Sequence, residues 1–171
     1  WIIDPLDGSK EYGLPNHADW AVHVALWERG RGITAAAVAQ PALGAVYSSG
    51  DEAASVAANS PLRVVVSGSR PPAFTEAVAA ELGADVVHMG SAGAKAMAVV
   101  RGEAEIYLHT GGQYEWDSCA PAAVAAAHGL HVSRIDGSPL LYNQSDVYMP
   151  DLLICRPEWA SRVLQIVGTL A

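Results

Sequence analysis

The chain has 171 residues, 51% of them hydrophobic and 16% charged, a composition that can bury a core and excludes intrinsic disorder as its overall state. Its 10 Lys and Arg against 18 Asp and Glu give a formal charge of −8, which argues against a nucleic-acid polymer or an anionic membrane as partner, though not against one small anion held beside metal ions. No apolar run approaches the roughly 20 residues that span a bilayer, and Trp1-Ile2-Ile3-Asp4-Pro5 has neither the basic region nor the apolar stretch of a signal peptide, so a cytoplasmic location is expected.

Residues 1–3 read as a short buried strand that Pro5, lacking an N–H, brings to an end. Asp7-Gly8 marks a turn, and the polar stretch 12–19, with Gly13 and Pro15, a loop. Residues 20–27, 33–40 and 45–48 predict three strands, separated by turns at 28–32 and 41–44, and together they read as an antiparallel meander. The small, polar, Ala-rich segment 50–61 is the expected boundary. After it the rhythm changes to strands at 63–67, 85–88, 104–108, 130–133 and 152–155. Helices are predicted over 71–82, with Pro71 and Pro72 near its start, and over 92–100, 117–128 and 158–170. Strands alternating with helices indicate an α/β layer. Cys119 and Cys155 are far apart with no CxxC partner and read as buried free thiols.

Three stretches carry groups with chemical potential. Asp4-Pro5-Leu6-Asp7-Gly8-Ser9 sets two carboxylates at a strand end with the Leu6 carbonyl between them, hard oxygen ligands of the kind that Mg²⁺ takes. Gly8 permits close approach of a ligand, and the N–H groups of Gly8 and Ser9 could hold an anion. An ordinary Asp-Gly turn with a capping Asp accounts for the same residues. Glu115-Trp116-Asp117-Ser118-Cys119-Ala120-Pro121-Ala122 places Asp117 where a helix begins, either as its N-cap or pointing into a cleft, with Pro121 in the first turn. Gly90-Ser91-Ala92-Gly93-Ala94-Lys95 opens a helix after a strand. Its N–H groups, Ser91 and Lys95 could bind phosphate, or it is a small-residue turn with a solvated lysine.

Taken together, these stretches carry a family resemblance. The run from Trp1 through Asp4-Pro5-Leu6-Asp7-Gly8-Ser9 to Lys10-Glu11-Tyr12 resembles the first signature of the inositol monophosphatase superfamily of metal-dependent, lithium-sensitive phosphatases. Trp116-Asp117-Ser118-Cys119-Ala120-Pro121-Ala122 resembles the second. Lys10-Glu11-Tyr12, Gly90-Ser91 with Lys95, Gly102 and Tyr107 are similar to the 3′(2′),5′-bisphosphate nucleotidase branch, and Trp20-Ala21-Val22-His23 and Tyr107-Leu108-His109 to its actinobacterial members. The likeness runs the length of the chain and includes a pocket-closing segment at 133–143.

The resemblance implies an α+β layered sandwich, with residues 1–58 finishing an antiparallel-sheet subdomain and 61–171 forming a C-terminal α/β subdomain around a shared cleft. It implies Asp4, Asp7, Asp117 and the Leu6 carbonyl as ligands for two or three Mg²⁺ ions. Asp7 and Ser9 would be catalytic, with Gly8 and Ser9 on the scissile phosphate. Ser91, Lys95, Tyr107 and Asp117 would line the substrate, and Arg70, His109, Arg134 and Asp136 are weaker pocket residues. His17, His23, His88, His128 and His131 are expected to pack or to lie at the surface. The implied reaction removes the 3′-phosphate of adenosine 3′,5′-bisphosphate in sulfur assimilation, without a covalent phosphoenzyme. Inositol phosphate or fructose 1,6-bisphosphate is the alternative substrate, and a non-catalytic interaction module the alternative class. A homodimer is compatible. The sequence departs from the family in having Ser9 for Thr, and Ser67-Gly68-Ser69-Arg70 where nucleotidases often carry Ser-Arg-Ser-His. The family's helical N-terminal segment, with a further metal-binding Glu and the acid that partners the Thr/Ser hydroxyl, would precede Trp1. The chain is therefore expected to belong to a longer protein and to bind metal weakly without that segment.

Overall fold

A computed structural model of the chain describes residues 1–53 and 61–170. The first element group is a four-stranded antiparallel sheet: β1 (Ile2–Asp7), β2 (Ala21–Glu28), β3 (Gly32–Gln40) and β4 (Ala45–Ser48), in spatial order β1-β2-β3-β4. Period-2 alternation sets its inner face, with Ala21, His23 and Ala25 of β2 all buried. One expectation fails at once, because Pro5 does not end β1. The strand runs on to Asp7 with a register irregularity between Asp4 and Asp7. A proline is tolerated on an edge strand at a bulge, where no ladder N–H is required of it. A four-residue helix, α1 (Ser9–Tyr12), then follows Gly8 directly.

The second sheet is mixed: β5 (Leu62–Ser67), β6 (Ala84–Met89), β7 (Ile106–Tyr114), β8 (His131–Ser133) and β9 (Tyr148–Cys155), in order β6-β5-β7-β9-β8. β5 is parallel to β6 and β7, whereas β9 is antiparallel to both β7 and β8. Strands β7 and β9 are longer than the sequence indicates. Their pairing breaks between Thr110 and Gln113, at Gly111 and Gly112 with φ of 69° and 72°, and resumes as far as Tyr114 opposite Tyr148. The glycine pair, beyond the strand end expected at residue 108, is a bulge.

Four longer helices complete the chain: α2 (Thr75–Leu82), α3 (Ala92–Val100), α4 (Glu115–Ala127) and α5 (Pro157–Leu170). α2 starts later than expected, at Thr75, whose N–H and hydroxyl both donate to the Pro72 carbonyl. α4 starts earlier, at Glu115, so Pro121 sits in its second turn rather than its first. There the missing N–H leaves the Asp117 carbonyl without its i+4 donor.

The layers follow from two apolar clusters. One joins Ala21, Ala25, Ala36 and Val38 of the first sheet to Tyr107, Leu152 and Ile154 of the second through residues of α3 and α4. Those helices are sandwiched between the sheets, and their Ala-rich faces (Ala94, Ala96, Ala120, Ala125) allow the close approach. The other cluster packs α2 and α5, through Val78, Val163 and Ile166, on the far face of the second sheet. β5 is buried on both faces, which is why Val64, Val65 and Val66 run without a polar interruption. The boundary expected at residues 50–61 falls largely outside the described residues. Cys119 and Cys155 are buried and unpaired. No helix among the described residues is long and apolar enough to cross a membrane.

Met97 lies fully buried on α3 between the two sheets. Met97→Ala is expected to lower unfolding free energy by about 2–5 kcal/mol in urea titrations, as large-to-small core changes do. A loss below about 1 kcal/mol would contradict tight packing between the layers.

Candidate functional site

The bulge in β1 decides where its carboxylates point. Residues three apart on a regular strand face opposite sides. The irregularity between Asp4 and Asp7 removes that alternation, and both side chains are buried. Asp117, in the first turn of α4, joins them, and ligand oxygens of Asp4, Asp7 and Asp117 lie within 4.8 Å of one another. Asp117 is not an N-cap as the sequence suggests. It is the third residue of the helix, and its Oδ2 accepts the Tyr114 N–H at 2.7 Å.

The three acids are held differently. Burial, with Asp7 and Asp4 nearby, raises Asp117 to about 6 against the lowering effect of the Tyr114 N–H. Burial followed by Asp7 also raises Asp4, although the Leu6 N–H donates to its Oδ1 at 3.0 Å. Asp7 goes the other way. Its burial is outweighed by His23, Ser91 and Gly93, and its carboxyl lies below the ordinary value. The Ser91 hydroxyl donates to Asp7 Oδ2 at 2.5 Å and the Gly93 N–H at 2.8 Å, while His23 Nε2 lies 3.3 Å away. Three hard oxygen donors, two of them disfavoured as bare carboxylates by burial and mutual repulsion, form the donor set that a divalent cation takes, so the residues present fit Mg²⁺.

Asp7 and Asp117 line a cavity of about 210 Å³, whereas Asp4 does not reach its wall. Gly8 and Ser9 line it at the start of α1. Gly8 has φ of 81°, and a Cβ there would come within 2.9 Å of the Asp19 carbonyl oxygen, so the position demands glycine. Lys95 enters from α3. It is 3% exposed, its ammonium donates to the carbonyls of Ser91 (2.6 Å) and Gly90 (3.2 Å), and it lies over the Tyr107 ring. Burial lowers it to about 8. Arg70 lies against Gly112, where a Cβ would come within 2.2 Å of Nη1. His109 also lines the cavity. Its Nε2 is 2.8 Å from the Gly111 carbonyl, and burial and then Lys95 lower it to about 4.

Other expected residues are placed differently. At the start of α3, where the sequence allows a phosphate site or a small-residue turn, the Ser91, Gly93 and Ala94 donors are engaged within the protein. Gly93 and Ser91 hold Asp7, and the Ala94 N–H donates to Ser91 Oγ. The helix N-terminus thus stabilises a carboxylate of the cluster. Tyr107 is fully buried beneath Lys95, its hydroxyl accepting from Gln113, and does not line the cavity. Arg134 lies outside the cavity in a bidentate pair with Asp151 at 2.6 and 2.5 Å, and Asp136 forms an exposed turn with Ser138. No site role is expected for His23, Gln113, Asp19 or Glu11 from the sequence. Of the two expectations for His23, packing holds, since it is fully buried, but it packs against Asp7, which keeps its imidazole above the ordinary value despite burial. Strand alternation could mark His23 as inward-facing but not identify its partner. A larger groove of about 730 Å³, lined by residues such as Trp27, Ile33, Ala126 and Leu140, contains no carboxylate, lysine, arginine or histidine.

The sequence profile of the Inositol monophosphatase family matches residues 1–169. A "3'-phosphoadenosine 5'-phosphate phosphatase" of Mycobacterium bovis is 54% identical over 98% of this chain and 66% of its own length. The "3'(2'),5'-bisphosphate nucleotidase CysQ" of Escherichia coli is 30% identical over 87% of this chain and 64% of its own length. The chain therefore spans just under two thirds of these curated relatives. In fold it is similar to an inositol monophosphatase from Anabaena (Nostoc), with a TM-score of 0.77 over 99% of this chain and 73% of that one, at 19% identity.

Lys95 supplies the cavity's buried positive charge only while protonated. Sulfate, whose own charge is constant in this range, is expected to bind progressively more weakly as pH rises through about 8. Lys95→Met should abolish that dependence in calorimetric titrations. A parent affinity that stays flat across this range would contradict a role for Lys95 in anion binding.

Proposed function

The chain belongs to the inositol monophosphatase family, and from that premise we propose that it provides the catalytic site of a divalent-metal-dependent phosphomonoesterase that removes the 3′-phosphate of adenosine 3′,5′-bisphosphate, or of its sulfated relative, in sulfur assimilation. The observation that carries this reading is the convergence of Asp4, Asp7 and Asp117 beside a cavity that also holds Lys95 and Arg70. The activities named for the Mycobacterium bovis and Escherichia coli relatives support the choice of substrate.

In this reading Asp4, Asp7 and Asp117, with the Leu6 carbonyl, hold two or three Mg²⁺ ions. When bound, such ions supply Lewis-acid activation of water and neutralise charge on the phosphate. The chain's own residues do the rest. Asp7 keeps Oδ2 engaged by Ser91 and Gly93, which fixes the carboxylate's orientation. The backbone at Gly8 and Ser9 holds the scissile phosphate, and the Ser9 hydroxyl orients the attacking water. Lys95, pinned by two carbonyls, contributes positive potential from a fixed position. Arg70 offers a planar fork to the second phosphate, the place where nucleotidases often carry a histidine. A volume of about 210 Å³ is below the ~300–1,000 Å³ of pockets for drug-sized ligands and suits a phosphate group better than a whole nucleotide.

The partners are accordingly a small phosphorylated substrate and metal ions in the cytoplasm, without a nucleic-acid polymer or membrane.

Phosphate release by the full-length protein from adenosine 3′,5′-bisphosphate, inositol 1-phosphate and fructose 1,6-bisphosphate tests the reading. Release from the first is expected to be fastest, to need Mg²⁺ and to be inhibited by lithium. Asp117→Asn should reduce it about 100-fold or more, since losing a ligand costs at least as much as the 10–100-fold typical of outer-shell partners. Faster release from either other substrate would reassign the specificity. No Mg²⁺-dependent release from any of them would leave an anion-binding interaction module.

A further inference from the structure

His23 lies in the middle of β2 and is fully buried. Its neighbours on the same strand face are Ala21 and Ala25, small residues that leave the imidazole as the large group there. Two of the segments around it, β1 and the start of α4, bear the acids. The β1–β2 register sets His23 directly opposite Asp4. Its Nε2 is 3.3 Å from Asp7 Oδ2. Its Nδ1 is 3.0 Å from the carbonyl oxygen of Trp116, the residue before Asp117. A carbonyl only accepts, so Nδ1 carries the hydrogen and donates. The Nε2 contact is not aligned as a hydrogen bond, and its coupling to Asp7 is electrostatic.

A third segment, the start of α3, closes the ring in. A Cβ on Gly93 would fall 2.1 Å from His23 Nε2, so only glycine fits there. The N–H of that same glycine donates to the same Asp7 oxygen that faces His23. β1, β2, the start of α3 and the start of α4 therefore meet on one imidazole. A side chain needed only to fill space at this position would require no polar atoms.

We propose that His23 is a positioning residue of the acid cluster, fixing the segments of Asp4, Asp7 and Asp117 relative to one another so that their oxygens converge on a common cation. The inference rests on the metal-binding reading above and extends it to a residue outside both signature motifs. His23→Leu removes both ring contacts while nearly conserving volume. His23→Asn keeps a donor near the Nδ1 position, and His23→Gln one near Nε2. Gly93→Ala pushes the ring away without changing it.

The test is Mn²⁺ affinity, read from the free-ion paramagnetic resonance signal in titrations of the full-length protein, with circular dichroism and thermal melting alongside. His23→Leu and Gly93→Ala are each expected to weaken Mn²⁺ binding about 10-fold or more, in the range of lost outer-shell partners. His23→Asn and His23→Gln should fall between these and the parent. Val66→Ala, buried on the far face of the second sheet, should lower the melting temperature and leave Mn²⁺ affinity at the parent value. A folded His23→Leu that binds Mn²⁺ like the parent would overturn the inference alone. If that variant does not fold, parent-like affinity in both His23→Asn and His23→Gln would overturn it equally. A parent that binds no Mn²⁺ would overturn the metal reading and this inference with it.

Discussion

Carboxylates buried close together repel, and much of this structure can be understood as the means of holding three of them in place. At an effective dielectric near 20, two unit charges at the 4.8 Å limit that separates these oxygens oppose each other by about 3–4 kcal/mol. The protein offsets part of this unevenly. Asp7 receives the His23 imidazole, the Ser91 hydroxyl, the Gly93 N–H and the N-terminus of α3. Asp117 receives one N–H, and burial beside Asp4 and Asp7 raises it to about 6. The remainder is uncompensated within the chain, and it borders a cavity whose own cation, Lys95, is also disfavoured by burial and lowered to about 8. A site with this residual charge attracts divalent cations and, through them, phosphate.

The architecture serves that placement. The first sheet delivers Asp4 and Asp7 through a bulged edge strand. The helices sandwiched between the sheets bring Ser91, Gly93 and Asp117 to the same point from their first turns. Small residues in those helices let the layers approach closely enough for the starts of α3 and α4 to reach β1. His23 lies where these elements meet, so core packing and site geometry are set by the same side chain.

The regular parts of the fold were legible in the sequence. Alternation and β-branched runs give the meander and β5, and composition with a glycine stop gives α3. What was hidden had physical causes. Pro5 reads as a strand end because a proline without an N–H usually is one, and the strand read over 104–108 stops short of the Gly111-Gly112 pair. In both places the strand continues through a bulge. Pro121 suggested a helix start two residues too late, since proline is most familiar in a first turn. The acids were legible from type and spacing together with the family resemblance. The duties of Ser91 and His23 were not. A hydroxyl at a helix start looks equally suited to a phosphate or to a carboxylate, and only the return of β1 beside α3 decides between them. A histidine on an inward strand face reveals burial but not what lies opposite.

The central claim is that Asp4, Asp7 and Asp117 form one cation site. Crystals of the full-length protein soaked in Mn²⁺ would test it most directly through the metal's anomalous scattering. The account predicts at least one strong peak at direct coordination distance from oxygens of all three side chains. Peaks confined to other surfaces, or ordered carboxylates with no metal between them at saturating Mn²⁺, would contradict it.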